Sequence, residues 1–164
     1  MEQFLDEFLS WAWARHHNPL SWYIRPLLLL PFCYLAYKRS TWGILLTLFA
    51  LVTSMVWLPA PDRPGLRAGE FLAMEKDYHT GHWTRTRVLL GLLVPVSLAA
   101  LALAFWKRSL RYELAVLDSI VLTKIAWSFY YGGESGLALL PPALLGLITC
   151  NAAVLYVAYR VCGK

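Results

Sequence analysis

"LAVLDSIVLTKIAWSF", residues 114–129, decides how this chain is read. Its length and apolar character give a helix suited to hydrocarbon. Yet an acid, Asp118, and a base, Lys124, interrupt it. An ionisable side chain among lipid tails is costly, so it needs a partner or access to water. On a helix the two are rotated by about 120° and offset by about 9 Å along the axis. They do not share a face, so each must find its own partner on another segment.

The rest of the chain has the same character. Of 164 residues, 59% are hydrophobic and 15% charged, and the mean hydropathy is +0.50. A water-soluble domain carries about 25% charged residues. The apolar residues also fall in runs about as long as a bilayer is thick. The expected fold is therefore all-α: a polytopic membrane protein in one domain, 1–164, with a bundle of five transmembrane helices at 19–37, 41–58, 86–106, 111–131 and 136–159. Helix is forced, because backbone groups in lipid must bond within their own segment.

The ends of these segments are marked. Asn18-Pro19 reads as an N-cap followed by proline at the first helical position. "LPAPDRPG" (58–65) stops the second helix, and "GGESG" (132–136) reads as a tight turn before the fifth. Pro26, Pro31, Pro95, Pro141 and Pro142 fall inside spans as bends. Two further helices are expected outside the spans. One is an interfacial amphipathic helix at 1–17, with Phe4, Leu5, Phe8, Leu9 and Trp11 on one side and Glu2, Asp6 and Glu7 on the other. The second is a short helix in the 59–85 loop. No internal repeat is evident.

The acidic start lacks the basic region and cleavage site of a signal peptide, so the first span is expected to be retained. Cys33, Cys150 and Cys162 form neither a disulfide framework nor a zinc pattern. Lys38-Arg39, "KRSLR" (107–111), Arg160 and Lys164 crowd cations into short segments at one end, with Lys107, Arg108 and Arg111 placed to meet lipid headgroups. The positive-inside rule then puts the N-terminus outside and the C-terminus in the cytoplasm, in a membrane of the bacterial inner type. The net charge of +5 is explained by lipid contact, and no soluble basic face exists to hold nucleic acid.

Depth suggests how the buried charges pair. Asp118 and Asn151 fall at one level, and an interhelical hydrogen bond is the simple expectation. Arg25 and Lys124 both lie about 10 Å below the outer surface by helical rise, and no spanning acid matches that level. Snorkelling of both side chains is one reading. The functional one is an outward-facing pocket of Arg25, Lys124, Tyr131, Trp22 and Ser128 that takes an anionic or amphipathic ligand.

Other constellations are weaker. "DYHTGHW" (77–83) offers Asp77, His79 and His82 to a divalent metal, while interfacial histidines are the ordinary reading. Arg85 and Arg87 could hold phosphate, or pair with Glu70 or Glu75. Ser135 in "GGESG" is no nucleophile elbow, and phosphate loops and dinucleotide fingerprints are missing from the sequence. The expected function is thus binding or transport of an anionic amphipath, with no cofactor. Alternatives are an accessory subunit of a larger membrane complex, and a lipid-modifying enzyme using the outer histidines with Glu134 or Asp77. The expected partners are membrane lipids, with a homo-oligomer or larger complex as further possibilities. In span number, length and tryptophan content the chain resembles the tryptophan-rich sensory protein (translocator) family. That resemblance is architectural and carries over no residue.

Overall fold

The computed structural model describes the backbone of residues 2–62 and 65–162, with all their side chains except those of residues 2, 3, 5, 6, 19, 79, 80, 161 and 162. Arg63, Lys164, and the side chains of Glu2, Leu5, Asp6, His79 and Cys162, which entered the sequence reading, lie outside the described set.

Among the described residues the fold is helical, with no strand. In order come α1 (Glu2–His16), α2 (Pro19–Tyr37), α3 (Thr41–Thr53), a 3-10 turn (Ser54–Val56), α4 (Leu66–Thr80), α5 (Arg85–Trp106), α6 (Leu110–Gly132), a 3-10 segment (Gly133–Leu139) and α7 (Leu140–Cys162). Two stretches are long and apolar enough to cross a membrane: Arg85–Trp106, and Leu110–Arg160 taken as one run. Gly133, at φ +53, breaks that run between α6 and α7. Thr41–Val56 is apolar but shorter. The second expected span, 41–58, therefore ends early. Its hydroxyls turn back on the helix, Thr53 onto Phe49 O at 2.8 Å and Ser54 onto Leu51 O at 2.7 Å. Such back-bonding bends and weakens a helix end.

Caps set the starts. The Asn18, Ser40 and Thr84 side chains accept from Leu20, Gly43 and Arg87 amides. The "GGESG" stretch leads from the end of α6 into a 3-10 segment rather than a plain turn, and Gly136 there presses against the backbone of Ser128, where a Cβ would stand 2.5 Å from its carbonyl oxygen.

Two cores result. One joins α2, α5, α6 and α7 through Phe32, Cys33, Ala36, Leu101, Phe105, Leu117, Cys150 and Val154. The other lies toward the opposite end of the helices, where Trp22 of α2 packs on Phe71 and Leu72 of α4. α1 folds against that second end. Arg15 Nη1 donates to Val56 O at 3.2 Å and Leu58 O at 3.4 Å, so it supplies hydrogens to carbonyls at the end of the α3 segment. Asn18 Nδ2 donates to Pro59 O at 3.0 Å. The apolar stripe of α1 faces away from the protein, with Phe4, Phe8, Leu9 and Trp11 exposed. Ala12 and His16 are its buried contacts.

Candidate functional site

The helix in the 59–85 loop does more than cover an end. α4 buries Phe71 (1% exposed), Leu72 (0%) and Tyr78 (6%). Glu75 falls on the same stripe, one turn beyond Phe71 and one before Tyr78. Phe71 meets the rings of Trp22 at 5.9 Å and Trp127 at 6.3 Å. Tyr78 meets Trp127 at 5.3 Å and Tyr131 at 5.2 Å. These edge-to-face pairs seat α4 over α2 and α6, and they carry Glu75 inward to 14% side-chain exposure.

There its carboxylate meets Lys124 and His16, and Arg25 stands behind His16. Lys124 Nζ donates to Oε1 at 3.4 Å. His16 Nε2 lies 3.4 Å from Oε2. Arg25 Nη2 stands 2.9 Å from His16 Nδ1. A guanidinium can only donate, so Nδ1 accepts and the Nε2–H tautomer points at Glu75. The result is a relay, Arg25 to His16 to Glu75, with Lys124 closing on the other oxygen. Burial alone would raise the Glu75 carboxyl. The hydrogen bond from His16 and the charges of Lys124 and Arg25 outweigh it and hold the group at about 2. The acid beside Arg25 and Lys124 comes from α4, a segment the sequence reading did not connect with them. With His16 neutral, Arg25 and Lys124 leave one positive charge over after Glu75 is counted.

The other expected residues separate. Trp22 is buried and its indole donates to the His16 backbone carbonyl at 3.4 Å, which ties α2 to the end of α1. Tyr131 packs at a tilt of 40° on Trp127, with ring centroids 5.5 Å apart. Lys124 Nζ stands 4.3 Å above the Trp127 ring and is not wholly withdrawn, with 45% of its side chain exposed. Ser128 is 1% exposed, and its hydroxyl donates to Lys124 O at 2.8 Å within its own helix. An open groove between α5 and α6, lined by Thr86, Leu90, Thr123, Ala126, Trp127 and Tyr130, runs beside the cluster, with Trp127 as the shared wall.

Asn151 Nδ2 donates to Asp118 Oδ1 at 2.8 Å and to Leu147 O at 2.9 Å. This bond ties α6 to α7 far from Lys124. Replacing Asn151 with leucine is expected to lower stability by about 1 kcal/mol or less, readable as a small drop in melting temperature in detergent.

Toward the loop, Arg87 does not pair with Glu70 or Glu75. Its Nη1 donates to Tyr78 O at 3.3 Å and His82 O at 3.4 Å, and its guanidinium lies over the Tyr78 ring. Asp77 and His82 are exposed. No group of three His, Cys, Asp or Glu side chains is gathered for a metal among the described residues. Lys107, Arg108 and Arg111 lie exposed at the opposite end of the bundle.

Sequence reasoning missed Glu75 and His16. A signal for the first existed: a glutamate on the apolar stripe of 66–80, between Phe71 and Tyr78. His16 gave none, since its role depends on α1 folding back onto α2 and α4. Compared with family models, curated proteins and solved structures, the chain matches none.

Proposed function

We propose that this is a multi-pass membrane protein that binds an anionic amphipath in exchange for its own Glu75 carboxylate. In this reading α2, α3, α5, α6 and α7 cross the bilayer, with the N-terminus outside. The all-helical fold and its two long apolar stretches support membrane residence. Trp42 and Trp57, exposed at the two ends of the shorter α3 segment, suit the two interfaces. The exposed aromatic stripe of α1 suits the outer one.

The observation that carries the ligand reading is a cluster drawn from three helices, in which Lys124 and His16 meet one carboxylate and Arg25 backs His16. Such a cluster recognises an anion, and its surplus positive charge persists while Glu75 is bound. A ligand headgroup would take the place of Glu75, and its chain would follow the α5–α6 groove past Trp127. Neither step needs a catalytic group.

The test is binding of lysophosphatidylglycerol, against uncharged monoolein, to the purified full chain. Lys124→Ala is expected to weaken binding about tenfold or more, the value of a charge-assisted hydrogen bond. Glu75→Gln is expected to tighten it, because the internal competitor loses its charge. Unchanged affinity in both variants would end the proposal. The accessory-subunit reading has one observation of its own, the exposed outer half of α5 at Val88, Leu89, Leu92 and Leu93. It predicts co-purification of a larger complex from native membranes and indifference to Lys124→Ala.

A further inference from the structure

The end of the bundle away from α1 and α4 is built from two copies of one turn. Tyr37-Lys38-Arg39-Ser40 joins α2 to α3, and Trp106-Lys107-Arg108-Ser109 joins α5 to α6. The repeat that composition did not reveal is an aromatic-Lys-Arg-Ser unit in equivalent positions. Each closes its helix in the same way. Ser40 N donates to Leu35 O and Arg39 N to Ala36 O, while Ser109 N donates to Ala104 O and Arg108 N to Phe105 O. Both arginines have positive φ, 57° and 54°. That conformation ordinarily selects glycine or asparagine at a helix end.

The side chains account for arginine there. Arg39 Nε donates to Trp106 O at 3.3 Å. Arg108 Nε and Nη2 donate to Tyr37 O at 3.4 Å. Each arginine thus caps the last carbonyls of the other copy's helix, and Arg108 also lies 4.6 Å over the Tyr37 ring. The correspondence continues along α2 and α5. Pro26 matches Pro95, Phe32 (1% exposed) matches Leu101 (0%), and Ala36 (0%) matches Phe105 (5%).

Reciprocal capping holds the two turns side by side, which concentrates charge. Lys38, Arg39, Lys107 and Arg108 are exposed, and Arg111 and Arg160 reach the same end from α6 and α7. The nearest acid in sequence, Glu113, is buried at 6% exposure. Exposed acids belong to the other end, where Glu7, Asp62, Glu70, Asp77 and Glu134 mix with the cations. Around the cationic plate stand exposed rings: Tyr34, Trp42, Tyr112, Tyr156 and Tyr159. They continue into the exposed apolar faces of α3 and α7. A soluble acidic partner would match the charge alone. A bilayer matches the charge, the aromatic rim and the apolar faces in one continuous surface.

We infer that the paired aromatic-Lys-Arg-Ser turns form a docking plate for anionic phospholipid headgroups of the adjoining leaflet. This rests on the membrane reading of the fold and is independent of exchange at Glu75. The test uses the full chain carrying Lys124→Ala, so that the outer cluster contributes less, in mixed micelles of phosphatidylglycerol or phosphatidylcholine. Phosphatidylglycerol is expected to bind more tightly and to raise the melting temperature. Adding Lys38→Gln, Lys107→Gln and Arg111→Gln, which leaves the capping arginines in place, is expected to weaken that binding about fivefold per cation, about a hundredfold in all. Inorganic phosphate at the same concentration is expected not to compete. Equal affinity for the two lipids, an unchanged preference in the combined variant, or full competition by inorganic phosphate would each overturn the inference.

Discussion

Replacing Glu75 with alanine will destabilise the α1–α4 end of the protein by about 2–3 kcal/mol. Removing one partner of a buried ionic group strands the others, at a cost of about 3–5 kcal/mol when all are enclosed. Here Lys124 has 45% of its side chain exposed and can turn to water, which lowers the figure. His16, with 6% of its side chain exposed, has no such escape. Glu75→Gln should cost less, because the amide oxygen still accepts. The two variants also separate by pH. Glu75 in the folded protein sits at about 2, well below its ordinary 4.5. A depressed carboxyl stabilises the fold fully above its unfolded value. That contribution, about 3 kcal/mol by linkage, fades as pH falls from about 4.5 towards 2. Melting temperature against pH in detergent should show the native chain converging on Glu75→Gln across that window. Parallel curves would mean that the carboxylate is not held as the contacts imply.

Gly146→Leu should be at least as damaging. A Cβ at Gly146 would stand 2.4 Å from Pro26 Cβ, so α2 and α7 can meet there only without a side chain. Proline cannot swing aside as a long side chain would. The helices must part, and the contact of Cys150 Sγ with Pro26 O and the packing of Phe32 against Cys150 part with them. Overpacking a fitted core costs about 1–3 kcal/mol, and a leucine here should reach or exceed the upper value. Gly69→Ala in α4 is the control. Nothing lies within 4 Å of its added Cβ, so better helix propensity should stabilise by up to about 1 kcal/mol. Denaturation curves of the two variants should move in opposite directions. A native-like Gly146→Leu protein would contradict the close crossing.

The sequence was most informative where one segment's own chemistry suffices. Asn18 before Pro19 predicts a capped helix start, and the Asn18 side chain does accept from the Leu20 amide. It was least informative at helix ends set by competition. Ser54 bonds back to Leu51 O and the α3 helix yields to a 3-10 turn, whereas hydropathy alone carries the segment on to residue 58. The candidate site divides the same way. Arg25 and Lys124 stand out because charges among apolar residues are conspicuous. Glu75 does not, because in a stretch with Arg67, Glu70, Lys76 and Asp77 one more carboxylate looks solvated.

What the sequence determined by itself is helical structure, apolar stretches, and two cations in apolar helices that need an explanation. Periodicity and hydropathy are properties of neighbouring residues, so they survive without a fold. Only the tertiary structure decided what answers those cations, and that two distant turns cap each other. Glu75 is 49 residues from Lys124, and Arg39 is 67 from the carbonyl it meets. Pairings at such separations depend on which helix faces turn towards each other. Packed rings such as Phe71 and Trp127, and side-chain-free crossings such as Gly146 on Pro26, fix those faces.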